Sequence, residues 1–295
     1  MSDQLIRFVR DHFQTNEFIP LHAPVFPGRE KEYVADTIES TFVSSVGAYV
    51  DRFERDMADY TGSPKAVATV NGTAALHVAL KLAGVESGDL VITQPLTFVA
   101  TCNAIAYCNA EPVFIDVDRD TLGLSAKALE AWLDEHARLD SVGVCRTRAD
   151  NKVIRACVPM HTFGHPADLD GLVSVTSRWK IALVEDAAES LGSFYKGKHT
   201  GTFGALGTLS FNGNKIIPPG GGGAVLTHDG ALAAHQIADA ARRDVNISRQ
   251  LPPAEAQGFE KFLEQHFAGM QAAPFPALRV IAGHGRFKAL EVFRR

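Results

Sequence analysis

Short apolar runs alternate with helical patterns between residues 50 and 245, and this alternation predicts an α/β fold with a mostly parallel sheet flanked by helices. The length of 295 residues allows one large domain or two ordinary ones, so a sizeable core is available. Hydrophobic residues make up 46% of the chain and charged residues 21%, which is typical of a globular protein and excludes wholesale disorder. The fold must therefore come from the burial of apolar segments.

Seven apolar segments supply the predicted strands, and helices fit between most of them. The strands are expected at residues 66–70, 90–93, 112–116, 153–159, 181–185, 206–211 and 224–227. Helices are expected at residues 73–82, 98–107, 125–136 and 231–242. Two amphipathic helices precede the first strand, because apolar side chains recur at helical spacing from Val34 to Phe42 and from Val50 to Tyr60. Gly62 is suited to end the second of them.

The alternation stops after about Val245, where Pro252, Pro253 and Pro274 interrupt it. One amphipathic helix, at residues 259–270, is all that the pattern predicts beyond that point. The sequence therefore predicts a large domain at residues 1–245 and an atypical tail at residues 246–295.

The charge and the cysteine content restrict the partners and the compartment. The chain has 29 Lys and Arg against 34 Asp and Glu, and a net charge of −5 gives no broad attraction to nucleic acid or to an anionic membrane. The sequence has no run of about 18 apolar residues and no signal-peptide pattern at its N-terminus. The four cysteines form no CxxC pair, which favours a reducing compartment. A cytoplasmic protein is expected.

The first segment that could carry chemistry is NGTAA at residues 71–75, where a predicted strand ends and a helix begins. Free backbone N–H groups and the helix dipole make such a junction an anion site. Gly72 permits close approach of a ligand and Thr73 adds a hydroxyl donor. A helix cap without a ligand fits the same motif.

The second segment places Asp186 at the end of the predicted strand at residues 181–185. Ligands of open α/β sheets collect at the carboxyl ends of strands, so Asp186 could hold a pyridine nitrogen protonated. A cap of a following helix is an equally good interpretation from this motif alone.

The third segment is SFNGNK at residues 210–215, which four consecutive glycines follow at residues 220–223. A lysine in such a structured turn can form a Schiff base if its surroundings free its amine. Most lysines are instead solvated at the surface. The crowding of Pro and Gly around Lys215 favours the chemical interpretation.

The HTFGH segment contains His161 and His165 at the i, i+4 spacing of a helical zinc site. Gly164 and Pro166 predict a loop there instead, and neither an HExxH motif nor a convincing third ligand accompanies the pair. No metal site is therefore expected.

The order of the motifs is more specific than any one of them. NGTAA, TFVAT at 97–101, VEDAAES at 184–190, SFNGNK and the four glycines follow one another along the chain, with PLHAPVFPG and FVSSVGAYVDRFE before them. In these features, from about Ile19 to about Ala240, the chain resembles the DegT/StrS-type sugar aminotransferases. These are fold type I enzymes that use pyridoxal 5'-phosphate (PLP), so the resemblance implies the large domain of a fold type I PLP-dependent transferase.

The resemblance implies roles for particular residues. Lys215 stands where the family lysine bonds covalently to PLP and later moves a proton. Asp186 stands where the family aspartate pairs with the pyridinium nitrogen, which makes the ring an electron sink. Phe98 matches the aromatic residue that stacks on the ring, and Glu189 matches the residue that approaches the ring hydroxyl. The implied phosphate contacts are Thr73, Ala74 and Ser210, beside the close-approach position Gly72.

The resemblance also suggests the reaction. Glu189 in its AAES context resembles the subgroup that aminates C4 of nucleotide-linked 4-keto-6-deoxy sugars with L-glutamate as the donor, in a ping-pong cycle without a metal. Ser44 and Ser45 lie in a stretch that resembles a substrate-side loop, although they could equally end a helix. Relatives are homodimers, so dimerisation is expected. Amination at C3, and a catalytically silent relative that binds only PLP or a partner chain, remain alternatives.

The resemblance does not extend into the tail. Family members carry a small C-terminal domain after the large one, and that domain is expected to be largely missing here. Truncation and a shifted reading frame near residue 246 are both compatible with this tail. Residues 249–254, read one base later, could encode the family-like peptide GNYRLP.

Overall fold

The computed structural model of the chain describes residues 2–20, 23–44 and 47–230. The helices expected at residues 231–242 and 259–270 lie outside the described residues, as does the tail at residues 246–295. The division into a large domain and a tail therefore stays a prediction.

The described residues form helices and strands in alternation from residue 48 onwards. The helices are α1 (Ser2–Phe13), α2 (Glu30–Glu39), α3 (Ala48–Thr61), α4 (Gly72–Leu82), α5 (Val99–Tyr107), α6 (Ala126–His136) and α7 (Leu169–Arg178). The strands are β1 (Lys65–Thr69), β2 (Leu90–Thr93), β3 (Glu111–Phe114), β4 (Ala137–Leu139), β5 (Cys145–Thr147), β6 (Ile154–Val158), β7 (Ala182–Asp186), β8 (Phe194–Tyr195), β9 (Lys198–His199), β10 (Leu206–Ser210) and β11 (Gly223–Thr227).

Seven of these strands form one sheet in the order β1-β11-β10-β7-β6-β2-β3. The five strands from β10 to β3 pair in parallel, whereas β11 runs antiparallel to both β1 and β10. Each of the seven segments expected as strands corresponds to one strand of this sheet. The predicted α/β class with a mostly parallel sheet is confirmed.

Both faces of the sheet are covered, which explains why the central strands read as continuous apolar runs. Val91 of β2 packs with Leu76 and Leu80 of α4 on one face. The next residue, Ile92, packs with Leu129 and Leu172 of α6 and α7 on the other face. Successive side chains of a strand point to opposite faces, so all four residues of β2 are buried.

Some elements differ from the sequence-based expectation. Helices α1 and α7 and the hairpins β4–β5 and β8–β9 were not predicted. Helix α2 ends at Glu39 rather than near Phe42, because Thr41 adopts a left-handed φ of 59°. The apolar face of α2 is exposed in the described part of the chain, with Val34 and Ile38 60% and 65% accessible. Among the described helices, none combines the length and the apolar character that a membrane span needs.

Candidate active site

Asp186 ends strand β7 at the carboxyl edge of the parallel sheet and is only 2% exposed. Its Oδ2 accepts a hydrogen bond of 2.8 Å from the Thr101 hydroxyl, and its Oδ1 accepts one of 3.2 Å from the Ala188 N–H. A turn follows Asp186, and no helix begins there. The interpretation of Asp186 as a helix cap is therefore wrong.

Burial raises the pKa of Asp186 above the ordinary value of an aspartate, because the surrounding protein disfavours the charged form. The hydrogen bonds from Thr101 and Ala188 act in the opposite direction and support the carboxylate. A carboxyl group balanced in this way can share a proton with a nearby base such as a pyridine nitrogen.

Lys215 lies in the turn after β10, and its side chain is only 11% exposed, which argues against a solvated surface lysine. The Nζ atom donates a hydrogen bond of 2.9 Å to Oε1 of Glu189. The same Nζ lies 5.8 Å from the centre of the Phe98 ring, which is held at the start of α5. Three predicted site residues from distant parts of the chain thus meet at one place.

The start of α4 forms a cradle against the end of β10. Oδ1 of Asn71 caps the helix by accepting a 2.8 Å hydrogen bond from the Ala74 N–H, and this cap is compatible with an anion at the same junction. The N–H groups of Gly72 and Thr73 belong to the first turn, where no intrahelical partner exists. A Cβ at Gly72 would lie 2.7 Å from Cβ and 2.9 Å from Oγ of Ser210. The helix start and the Ser210 hydroxyl can approach each other only because residue 72 is glycine.

Replacement of Gly72 by Ala should force this cradle apart. We expect the variant to lose about 1–3 kcal/mol of unfolding free energy, a typical cost of overpacking, and to bind PLP more weakly than the parent. Urea unfolding and a PLP titration measure the two effects. Gly230→Ala is the matched control, because no described atom lies within 4 Å of a Cβ at that position. Equal PLP affinity in the parent and in Gly72→Ala would contradict the role of the cradle.

Glu185 precedes Asp186 on β7 and makes contacts that the sequence did not reveal. Its side chain is fully buried. It accepts hydrogen bonds from the N–H groups of Gly201, Phe203 and Gly204 at 2.6–2.7 Å and contacts Nε2 of His161 at 3.0 Å.

His161 is held on both sides of its ring. Nδ1 of His161 accepts the N–H of Ala167, so the ring proton lies on Nε2, toward Glu185. His161 of the HTFGH segment thus holds a loop in place, and residues 162–164 form a short 3₁₀ turn.

Glu185 should make the fold sensitive to acid. Burial alone would raise the pKa of Glu185, but the His161 contact and the backbone N–H groups outweigh it and hold the pKa below its usual value. The stability contributed by Glu185 is therefore fully present above the unfolded pKa of about 4.3 and is lost as the pH falls through the folded pKa. We expect Glu185→Gln to lose about 1–3 kcal/mol at pH 7, because the amide –NH2 cannot accept a hydrogen bond and leaves a buried N–H donor unsatisfied, and less at pH 4.

Urea unfolding of the parent and the variant at pH 7 and pH 4 measures this difference. Glu111→Gln is the control, because Glu111 pairs with Lys152 at an exposed position where ion pairs contribute at most about 1 kcal/mol. A Glu185→Gln variant as stable as the parent at pH 7 would refute the assigned role.

The sequence profile of the DegT/DnrJ/EryC1/StrS aminotransferase family matches residues 27–243. The chain belongs to this family. Its match to GDP-perosamine synthase of Caulobacter vibrioides is 39% identical over 216 residues, which are 73% of this chain and 54% of that protein. The chain therefore spans about half the length of the curated relatives it matches.

Solved aminotransferase-like structures share the fold of this chain. An aminotransferase from Psychrobacter cryohalolentis is 32% identical with a TM-score of 0.62, over 72% of this chain and 50% of that one. DesI, solved in the presence of its TDP-sugar product, is also 32% identical with a TM-score of 0.62, over 71% of this chain and 49% of that one. These similarities confirm the fold type predicted from the motifs.

PLP is the cofactor of the DegT/DnrJ/EryC1/StrS family, and the residues of this site fit it. The cradle at Gly72 and Ser210 offers N–H and hydroxyl donors suited to a phosphate. Asp186 offers a buried carboxyl group suited to a ring nitrogen, and Lys215 offers an amine held by Glu189. When bound, PLP supplies an electron-withdrawing ring that weakens the C–H bond next to an attached amino nitrogen.

Ser44 and Ser45 are the two residues expected on the substrate side. Ser44 lies on the exposed segment between α2 and α3, and Ser45 lies outside the described residues. Their substrate role stays a prediction. Sequence reasoning also overlooked Thr101, although the TFVAT motif was recognised, because a hydroxyl inside a helix gives no pattern that points to Asp186.

Proposed function

We propose that this chain is a PLP-dependent aminotransferase that moves the amino group of L-glutamate to C4 of a nucleotide-linked 4-keto-6-deoxy sugar. The observation that carries the proposal is the meeting of Lys215, Glu189 and Phe98 beside the buried Asp186. An amine, a ring face and a buried carboxyl group are the set that PLP-dependent transamination requires.

Each side chain has a separate task in the proposed reaction. Lys215 holds and returns a proton at Nζ, which is general acid–base catalysis. Glu189 fixes the position of Nζ by accepting its hydrogen bond at 2.9 Å. The Asp186 carboxylate keeps the ring nitrogen protonated, and the ring of Phe98 shields one side of the site. None of these tasks needs a metal ion.

The relatives support a nucleotide-sugar substrate. GDP-perosamine synthase is named for a GDP-linked product and is a 4-aminotransferase, and DesI was solved with a TDP-sugar product. The names differ in their nucleotide, so the proposal includes both classes. L-Glutamate as the donor and a homodimer as the active form are inferred from the family resemblance alone, and a cytoplasmic location is inferred from the cysteine pattern of the sequence.

Isotope transfer tests the proposal directly. The PLP-loaded chain is incubated with [15N]L-glutamate and with GDP-, TDP- or UDP-linked 4-keto-6-deoxy sugar, and the product is analysed by mass spectrometry and NMR. We expect 15N at C4 of one nucleotide sugar, together with 2-oxoglutarate. A parallel incubation with a nucleotide-linked 3-keto sugar tests the alternative, and 15N found only at C3 of that sugar would assign the amination to C3. A PLP-loaded chain that labels no sugar would contradict the proposed activity.

A further inference from the structure

Two threonine hydroxyls form a chain of hydrogen bonds that ends on Asp186. The Thr97 and Thr101 hydroxyl oxygens lie 2.7 Å apart, and the Thr101 hydroxyl lies 2.8 Å from Oδ2 of Asp186. Thr101 is 1% exposed and Asp186 is 2% exposed, so water does not compete for the contact between them, whereas Thr97 is only partly buried. The hydrogen bond from Thr101 to Asp186 is therefore a buried feature of the site, and Thr97 extends it toward the surface.

The direction of the two hydrogen bonds follows from the Asp186 carboxylate, which is the last acceptor. An ionised carboxylate only accepts, so the single hydroxyl hydrogen of Thr101 is directed to Asp186. The oxygen of Thr101 is then left to accept from Thr97. The other neighbour of the Thr97 hydroxyl is the sulfur of Met160 at 3.3 Å, and a thioether is a weak acceptor.

Thr101 also connects Asp186 to the residue on the other side of the site. Its backbone N–H donates to the carbonyl of Phe98 at 3.1 Å, while its side chain binds Asp186. The Ala188 N–H binds the second carboxylate oxygen at 3.2 Å. The two donors on two different oxygens fix the plane of the carboxylate.

We infer that Thr101 is a positioning residue that keeps the Asp186 carboxylate ionised and in one orientation for the ring nitrogen of PLP, and that Thr97 sets the direction of its hydroxyl. The inference rests on the cofactor of the proposed function but not on the sugar or the amino donor. A hydrogen bond from a neutral hydroxyl to a buried carboxylate favours the charged form. Loss of this hydroxyl leaves Asp186 less able to stabilise a positive charge on the ring nitrogen.

Variants of the full chain test this inference by PLP titration and by the absorbance of the loaded protein as a function of pH. Thr101→Val removes the hydroxyl at nearly constant volume, Thr101→Ser retains it, and Thr97→Val removes only the second hydroxyl. Thr176→Val is the matched control, because the buried Thr176 hydroxyl donates to the carbonyl of Leu172 within α7. Thermal unfolding reports whether each variant is folded.

We expect Thr101→Val to raise the dissociation constant of PLP about tenfold, as for a lost hydrogen bond to a charged group. We also expect the pH midpoint of the visible absorbance change to rise by about half a pH unit. Without the Thr101 hydroxyl the ring nitrogen carries less positive charge, so it repels the titrating proton of the bound cofactor less strongly. That proton is then lost only at a higher pH. Thr97→Val should shift both quantities in the same direction by a smaller amount. Thr101→Ser and Thr176→Val should match the parent.

Either of two results would overturn the inference. One is a Thr101→Val variant with the PLP affinity and the pH midpoint of the parent. The other is a Thr101→Ser variant that behaves like Thr101→Val, since volume rather than the hydroxyl would then matter. If Thr101→Val does not fold, Thr97→Val becomes the deciding variant. An unchanged pH midpoint of the visible absorbance in Thr97→Val would then overturn the inference. All of these measurements precede the addition of any substrate, so their failure is distinct from a failure of the proposed transamination.

Discussion

Replacement of Lys215 by Ala should abolish the visible absorbance that develops when the parent chain binds PLP, and should lower transamination by about 10²- to 10⁴-fold or more. Lys215 provides the amine that Glu189 holds at 2.9 Å. The methyl side chain of an alanine cannot take up or return a proton. Absorbance spectra of the PLP-loaded variant and single-turnover rates with L-glutamate measure the two effects.

Lys196→Ala is the control for this variant, because Lys196 is an exposed lysine whose ammonium pairs with Asp170. It should load PLP and react with glutamate as the parent does. A Lys215→Ala variant with the spectrum of the parent would show that another amine is the reactive group.

The second large effect is expected for Asp186→Asn. The amide has nearly the shape of the carboxyl group but cannot carry a negative charge, so it cannot hold a proton on the ring nitrogen. We expect the rate of amino transfer to fall by about 10²- to 10³-fold, the usual loss when one preorganised electrostatic group is removed. Stopped-flow absorbance after mixing with L-glutamate measures the rate.

Asp89→Asn is the control, because it removes a buried carboxylate that lies outside the proposed cofactor site. Asp89 is 6% exposed, and its Oδ2 accepts a 3.0 Å hydrogen bond from Arg155, so its loss should affect stability and leave the glutamate rate intact. Equal rates in Asp186→Asn and in the parent would contradict the assignment of Asp186 to the cofactor.

The sheet could be predicted because burial on both faces leaves a simple pattern. Val91 and Ile92 face opposite cores, so β2 appears in the sequence as an unbroken apolar run of strand length. Helix α7 was harder to predict, because Gly171 and Ser174 lower the helix propensity of a short segment, and the signal available was the cap that Asp168 provides to the N–H of Gly171. The exposed face of α2 shows that an amphipathic pattern predicts a helix but not what covers it.

The candidate site could be predicted only in part, because contacts between distant residues leave no local pattern in the sequence. Lys215 and Asp186 stand in motifs that the sequence makes recognisable, and the structure buries Asp186 and leaves only 11% of the Lys215 side chain exposed. Thr101 and Glu185 act through contacts with residues 85 and 16 positions away in the chain, and such pairings have no local signature. Residues of this kind become visible only when the fold brings them together.

The visible absorbance of the purified 295-residue chain, titrated with PLP before and after addition of L-glutamate, tests the central claim most directly. The proposed function predicts a saturable visible band that depends on Lys215 and that L-glutamate converts to the shorter-wavelength absorbance of the amine form of the cofactor. A folded chain that develops no such band, or a band that L-glutamate leaves unchanged, would contradict the claim that this chain is a PLP-dependent aminotransferase with glutamate as its donor.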